Sequence, residues 1–268
     1  MIRVLAVGLT VLSLSSIATA QGINGQSLHL TAPGTSILGG HQAQTLGLWK
    51  YSIAGSSQYM RDSLLVVKDG EVLRRVSKHR IETGVHAAVG VLSWLDVGTD
   101  VPFVAYHDGE GVDDRQLNGG MLGDTRIWTK VRGLKQAPHW VDLGAVLTVG
   151  LPTGDPASFS GSGGMSLDGN VVLGRRFGAI HATFDAGYRY QPEQQALNFV
   201  DGDRLLFSTA IAYEHQKSHL TALFRAFAST PVDAVFVNTN ETNMEILLGA
   251  NWRPWRGMVL MAGVGAGV

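Results

Sequence analysis

From about residue 43 onward, apolar and polar positions alternate with the period-two pattern of β-strands. Arg80 to Val91 shows it best. Ile81, Thr83, Val85, Ala87, Val89 and Val91 share one face, and Arg80, Glu82, Gly84, His86, Ala88 and Gly90 share the other. Leu95 to Phe103, Asp124 to Arg132, Val141 to Leu151 and Ile180 to Tyr190 follow the same rule. Leu205 to Tyr213, Leu220 to Phe227, Met244 to Arg253 and Met258 to Gly265 read as strands too. Gln44 to Ile53 and Met165 to Leu173 carry a weaker signal. The pattern predicts roughly eleven strands of about nine to twelve residues, a length that crosses a bilayer at the usual tilt.

The connections alternate. Long ones are expected at about Ala54 to Arg75, Tyr106 to Gly123, Pro152 to Gly164, Gln191 to Gly202 and Ser229 to Thr242. Short ones fall near Ser93-Trp94, Gly133 to Pro138, Arg175 to Gly178, His215 to Lys217 and Pro254 to Arg256. Transmembrane barrels have this rhythm, with short turns on one side and long loops on the other. Trp49, Tyr51, Trp94, Phe103, Tyr106, Trp140, Tyr188, Tyr190, Tyr213, Trp252 and Trp255 sit mostly near strand ends, where interfacial girdles belong. The expected fold is all-β: an antiparallel up-and-down transmembrane β-barrel of about 11–12 strands.

The polar face is expected to line the lumen. It carries Arg80, Glu82, Asp96, Asp100, Asp124, Arg126, Lys130, Arg132, Asp142, Asp168, Asp185, Arg189, Arg204, Arg225 and Glu245, with many glycines between them. Small apolar-face residues pack soluble cores poorly, and in lipid a closed barrel satisfies every backbone group. A lumen this narrow is either plugged by paired charges or lined by hydrated ones; the sequence leaves both open.

Composition narrows the class further. The chain has no cysteine, which excludes disulfides and thiolate metal sites. Its net charge of −1 gives nucleic acid no electrostatic foothold. Arg3, the apolar run Val4 to Ile17 and Ala18-Thr19-Ala20 read as a signal peptide over residues 1–20. Residues 21–42 then form a periplasmic lead-in and 43–268 the barrel. The expected location is the outer membrane, with its lipid and the barrel-assembly machinery as partners.

At GDTRIWTKVRGL (Gly123 to Leu134), LPTGD (Leu151 to Asp155), FSGSGG (Phe159 to Gly164) and DAGYRY (Asp185 to Tyr190) the chain resembles a known family. DGDRLLFSTAIAY (Asp201 to Tyr213), ETNMEILLGANWR (Glu241 to Arg253) and VSKHRIETGVHAAVGVLSWLDVGTDVPFVAY extend the likeness. Together they resemble the N-terminal barrel region of OmpA-like outer-membrane proteins. They are also similar to transporter-like barrels grouped under phenol degradation by the MetA pathway. The resemblance implies an outer-membrane barrel without enzymatic activity. It implies peptidoglycan contact only through a C-terminal domain outside this sequence.

Parity adds an expectation. With the N-terminus in the periplasm, an eleventh strand ends at Val268 on the outer side, without the terminal aromatic such barrels carry. Bacterial single-chain barrels have even strand numbers. The sequence therefore predicts a barrel lacking its last strand, with a gap between the strand near Gly47 and the one near Leu260.

Candidate chemistry is sparse. LPTGD reads as a turn, and DGEGVDD (Asp108 to Asp114) lacks calcium-loop spacing. No H-E-x-x-H pair or G-x-S-x-G elbow is present. No catalytic residue, metal or cofactor is expected. The function expected is a porin-like or structural outer-membrane barrel. The alternatives are an uptake channel for small hydrophobic or aromatic compounds and a membrane-embedded lipid hydrolase.

Overall fold

The computed structural model describes residues 9–12, 30–31, 34, 36–68, 71–110, 117, 119–196, 199–215, 217–237 and 242–267. Eleven strands of eight or more residues dominate it. They are β1 (Tyr51–Lys68), β2 (Glu71–Leu92), β3 (Leu95–Asp108), β4 (Thr125–Leu134), β5 (Asp142–Leu151) and β6 (Ser166–Phe177). β7 (Ile180–Tyr190), β8 (Arg204–His215), β9 (Leu220–Pro231), β10 (Asn243–Trp252) and β11 (Leu260–Gly267) complete the set. Each pairs antiparallel with the next in chain order, from β1 through β11. This is the up-and-down sheet that the alternation predicts.

β1 and β11 do not pair with each other. The four residues Leu9–Leu12 lie between them and run parallel to both, with Leu9 opposite Met261 on one side and Ser56 on the other. Two strands parallel to a common neighbour share a direction, as an odd number of alternating strands requires. The gap expected near Gly47 and Leu260 is therefore occupied here by residues of the apolar N-terminal stretch. The count of eleven stands; Leu9–Leu12 lies within the 1–20 stretch that the sequence reads as a cleaved signal peptide, so in a processed chain the position between β1 and β11 would be open.

The first strand differs from its expected bounds. It begins at Tyr51 and runs to Lys68, so the span read as a long loop from Ala54 is strand up to the Lys68↔Glu71 pair. Gly55, Ser56, Ser57 and Gln58 place small or polar groups on both faces, which erases the alternation without preventing backbone pairing. Upstream, Gly47 (φ 93) and Trp49 (φ 55) turn the chain into β1. Trp49 N donates to Gly90 O at 2.7 Å across that turn.

The two faces of the sheet are inside out relative to a water-soluble protein. Along β5, Asp142, Gly144, Val146, Thr148 and Gly150 are buried while Ala145 and Leu147 are exposed. Val85, Val171, Phe184, Ile246 and Leu248 join the outer apolar band. Trp94, Trp140, Trp252 and Trp255 are exposed at the short-turn end, and Tyr106, Tyr188 and Tyr190 near the long-loop end. Luminal glycines make room for larger neighbours. A Cβ on Gly98 would stand 2.2 Å from the ring of Trp128, its partner across β3 and β4.

Of the expected lead-in over residues 21–42, the described residues 36–42 lie inside the barrel. Ser36–Ile37 and Gly40–His41 form a hairpin whose turn residues Leu38 (φ 48) and Gly39 (φ 81) both have positive φ, the geometry of a tight two-residue turn. Leu38 is fully buried, in one cluster with Ile37, Ala210, Ala212, Leu223 and Leu247. Ala43 packs on Val146 and Val172, and Leu46 against Ala88 and Trp128. The segment thus crosses the lumen from β8–β10 to β2–β4.

Candidate functional site: the lumen

The strand register places the luminal charges side by side. Asp168 faces Arg189 across β6 and β7, and both guanidinium contacts are 2.7 Å. Asp96 faces Lys130 across β3 and β4; their charged atoms are 3.6 Å apart, and both side chains are almost wholly buried. The Asp96 carboxylate also accepts Leu46 N at 2.9 and 3.1 Å, which ties the N-terminal segment to the wall. Arg132 pairs with Asp142 at the short-turn end, and Asp142 also accepts Gln44 Nε2 at 3.2 Å and Gln136 N at 3.0 Å. A buried charge is tolerated only with partners of this kind.

Arg80, with no exposed surface, donates to Glu82 at 3.1 Å and to the Phe159 carbonyl at 2.7 Å. Phe159 belongs to the connection after β5 and packs on Leu64 and Val76, so this loop folds over the long-loop end. Arg204 donates to Ser229 Oγ at 2.6 Å and to its carbonyl at 3.1 Å. Arg225 Nη1 donates to Leu38 O at 2.9 Å. Asp185 is buried opposite Ser208 in the β7–β8 ladder, and Arg126 stands opposite Asp100. Glu245 is half-buried on β10.

Asp124 departs from the expected wall of charges. It precedes β4 and caps the loop after β5, accepting Gly154 N at 3.0 Å and both Ser162 N and Ser162 Oγ at 2.6 Å. Its place at the end of the alternating run made it look like part of the strand.

The sequence reading passed over several luminal groups. Asp100 Oδ1 meets His86 Nδ1 at 2.8 Å, and Gln58 Nε2 donates to Glu82 at 3.0 Å. His86 stood on the polar face of the clearest strand, and that was the available signal. His215 and His219 have H-x-x-x-H spacing, but they flank the turn between β8 and β9, not a helix, and His215 Nδ1 bonds Ser218 Oγ at 2.7 Å.

At the short-turn end a cavity of about 350 Å³ remains between the N-terminal segment and the wall. Ile37, Leu46, Leu223 and Met261 form its apolar side. Its rim holds a bridged triplet, in which Glu214 accepts from Arg176 and Arg253, each at 2.7 Å.

No family model matches the chain, and no curated protein matches it.

Proposed function

We propose that this chain is an outer-membrane β-barrel whose lumen is closed at rest, a structural barrel or a gated channel. The observation that carries this reading is the occupied lumen. The N-terminal segment is held by Asp96, Asp142 and Arg225, and the loop after β5 closes over Arg80. The apolar outer band and the aromatic residues at both strand ends support a lipid surround, since an apolar face this large is costly in water. The signal-like N-terminus supports export. Fractionation with outer membranes and heat-modifiable migration on gels test the location, and recovery as a soluble periplasmic monomer overturns it. In planar bilayers the intact protein is expected to show no steady conductance; a large constant conductance overturns the closed lumen.

A second reading, uptake of small hydrophobic or aromatic compounds, has the family resemblance behind it. The cavity at the short-turn end favours it, because its volume suits a small ligand and pairs an apolar wall with a charged rim. An uptake defect in a deletion strain supports this reading; normal uptake leaves the structural one.

A further inference from the structure

Three luminal side chains form a hydrogen-bonded relay across β1, β2 and β3. His86 stands directly opposite Asp100, and its Nδ1 lies 2.8 Å from Asp100 Oδ1. Ser56 stands opposite Gly84, two residues before His86 on the same face, and its Oγ lies 2.8 Å from His86 Nε2. With the imidazole proton on Nδ1 and donated to the carboxylate, Nε2 is left to accept the Ser56 hydroxyl. Serine to imidazole to carboxylate is the order of roles in acyl transfer, and such sites are recognised by geometry rather than by sequence position.

The surroundings fit the same use. A Cβ on Gly84 would lie 3.1 Å from both His86 Nε2 and Ser56 Oγ, so the missing side chain lets the hydroxyl and the imidazole meet. His86 and Asp100 are buried, whereas Ser56 is half-buried, which shields the base and presents the nucleophile. Arg126, Glu82 and Gln58 line the same small cavity, and the Arg126 guanidinium is the cation of that lining, the group suited to a developing oxyanion. Leu30 is among the residues lining the cavity, which has about 20 Å³, room for a single water.

We propose that Ser56, His86 and Asp100 constitute a serine hydrolase site inside the barrel, acting on esters of small carboxylic acids. His86 Nε2 takes the Ser56 proton as Oγ bonds to the ester carbonyl carbon. The bond from that carbon to the alcohol oxygen breaks, and the alcohol leaves with the proton from His86. A water then gives a proton to His86 while its oxygen attacks the acyl carbon. The bond to Ser56 Oγ breaks, Ser56 regains its proton, and the carboxylic acid departs. Ester and water become alcohol and acid, with no oxidant or cofactor required. Entry of the acyl group displaces Leu30, and the site does not depend on whether the lumen conducts.

The full chain, folded in detergent and verified by heat-modifiable migration, is incubated with p-nitrophenyl acetate. A parallel sample receives a fluorophosphonate probe and is mapped by peptide mass spectrometry. The expected result is nitrophenolate release that falls ~100-fold or more in Ser56→Ala and His86→Ala, the range for loss of nucleophile or general base. Probe mass is expected on the peptide containing Ser56. Ser57→Ala, on the opposite face of β1, keeps the wild-type rate. Leu30→Ala raises both turnover and labelling, and turnover in Leu30→Ala alone also supports the site, with Leu30 as its lid. Equal rates in wild type and Ser56→Ala, label on another residue, or silence in both wild type and Leu30→Ala overturn the proposal. None of these failures touches the barrel reading, which stands or falls on fractionation and migration.

Discussion

The lumen is filled in two different ways on its two sides. Along β2 to β7 the wall fills itself with charge: Arg80 and Glu82, Asp96 and Lys130, Arg132 and Asp142, Asp168 and Arg189. Along β8 to β10 small or aliphatic inward residues, Ala210, Ala212, Leu223 and Leu247, lie between the buried Arg204 and Arg225, and the filler comes from the N-terminal segment as Ile37 and Leu38. The difference teaches that alternation specifies which face points inward but not what fills it. Long charged side chains fill most of one side, to which the segment adds Ala43 and Leu46. The other side leaves a volume that only a separate segment can occupy, and a void there would forfeit its packing.

Leu38→Asp gives the sharpest break of that comparison. A carboxylate among Ala210, Ala212, Leu223 and Leu247 has no unengaged cation beside it: the neighbouring Arg225 already bonds the Leu38 carbonyl and Ser208 Oγ, and turning it to the carboxylate would break those bonds. The expected cost is about 3–5 kcal/mol, the usual range for an uncompensated buried charge. Stability is read from the denaturant midpoint of the heat-modifiable form. The segment should leave the lumen, and bilayer conductance should appear. Unchanged stability together with a silent bilayer would show that the segment does not plug the barrel.

On the charged side, Lys130→Met leaves the Asp96 carboxylate with Leu46 N and no cation. The expected loss is about 3 kcal/mol. Adding Asp96→Asn should restore most of it, since the remaining amide oxygen still accepts Leu46 N. A double variant as unstable as Lys130→Met alone would mean that the pair contributes packing rather than charge compensation.

Much of this architecture was legible because period two is a backbone property. The strands β3 through β11 stand close to where Leu95 to Phe103, Val141 to Leu151 and Ile180 to Tyr190 place them, whereas β2 starts at Glu71, nine residues before the expected Arg80. β1 was hidden because Gly55 to Gln58 present little contrast between faces, and because register shifts between Arg61 and Leu65 break the period. The luminal segment was hidden for another reason. Leu38 and Arg225 are 187 positions apart, and nothing local to Leu38 announces its partner. The relay is similar: Ser56 and His86 are 30 positions apart and carry no motif. By contrast Asp96, Lys130, Asp168 and Arg189 could be picked out as inward charges, although only the register joins them in pairs.

The smallest effect is expected where charge meets water, at the short-turn rim. Glu214 accepts from Arg176 and Arg253 at 2.7 Å each, the geometry of a strong bridge, yet all three side chains are substantially exposed. Exposed pairs lose most of their Coulomb energy to solvent and spend side-chain entropy to hold their geometry, so Glu214→Gln should cost about 0.5 kcal/mol or less. The glutamine oxygen still accepts a hydrogen bond, which trims the loss further. Salt separates this rim from the lumen. At 1 M ionic strength the screening length is about 3 Å, so any deficit of Glu214→Gln should vanish while that of Lys130→Met persists, because solvent does not reach the buried pair. The same denaturant midpoints, measured at low and high salt for both variants, decide it. A Lys130→Met deficit that also disappears in salt would mean that water and ions enter the lumen between β3 and β4, and that the charged side is no better sealed than the rim.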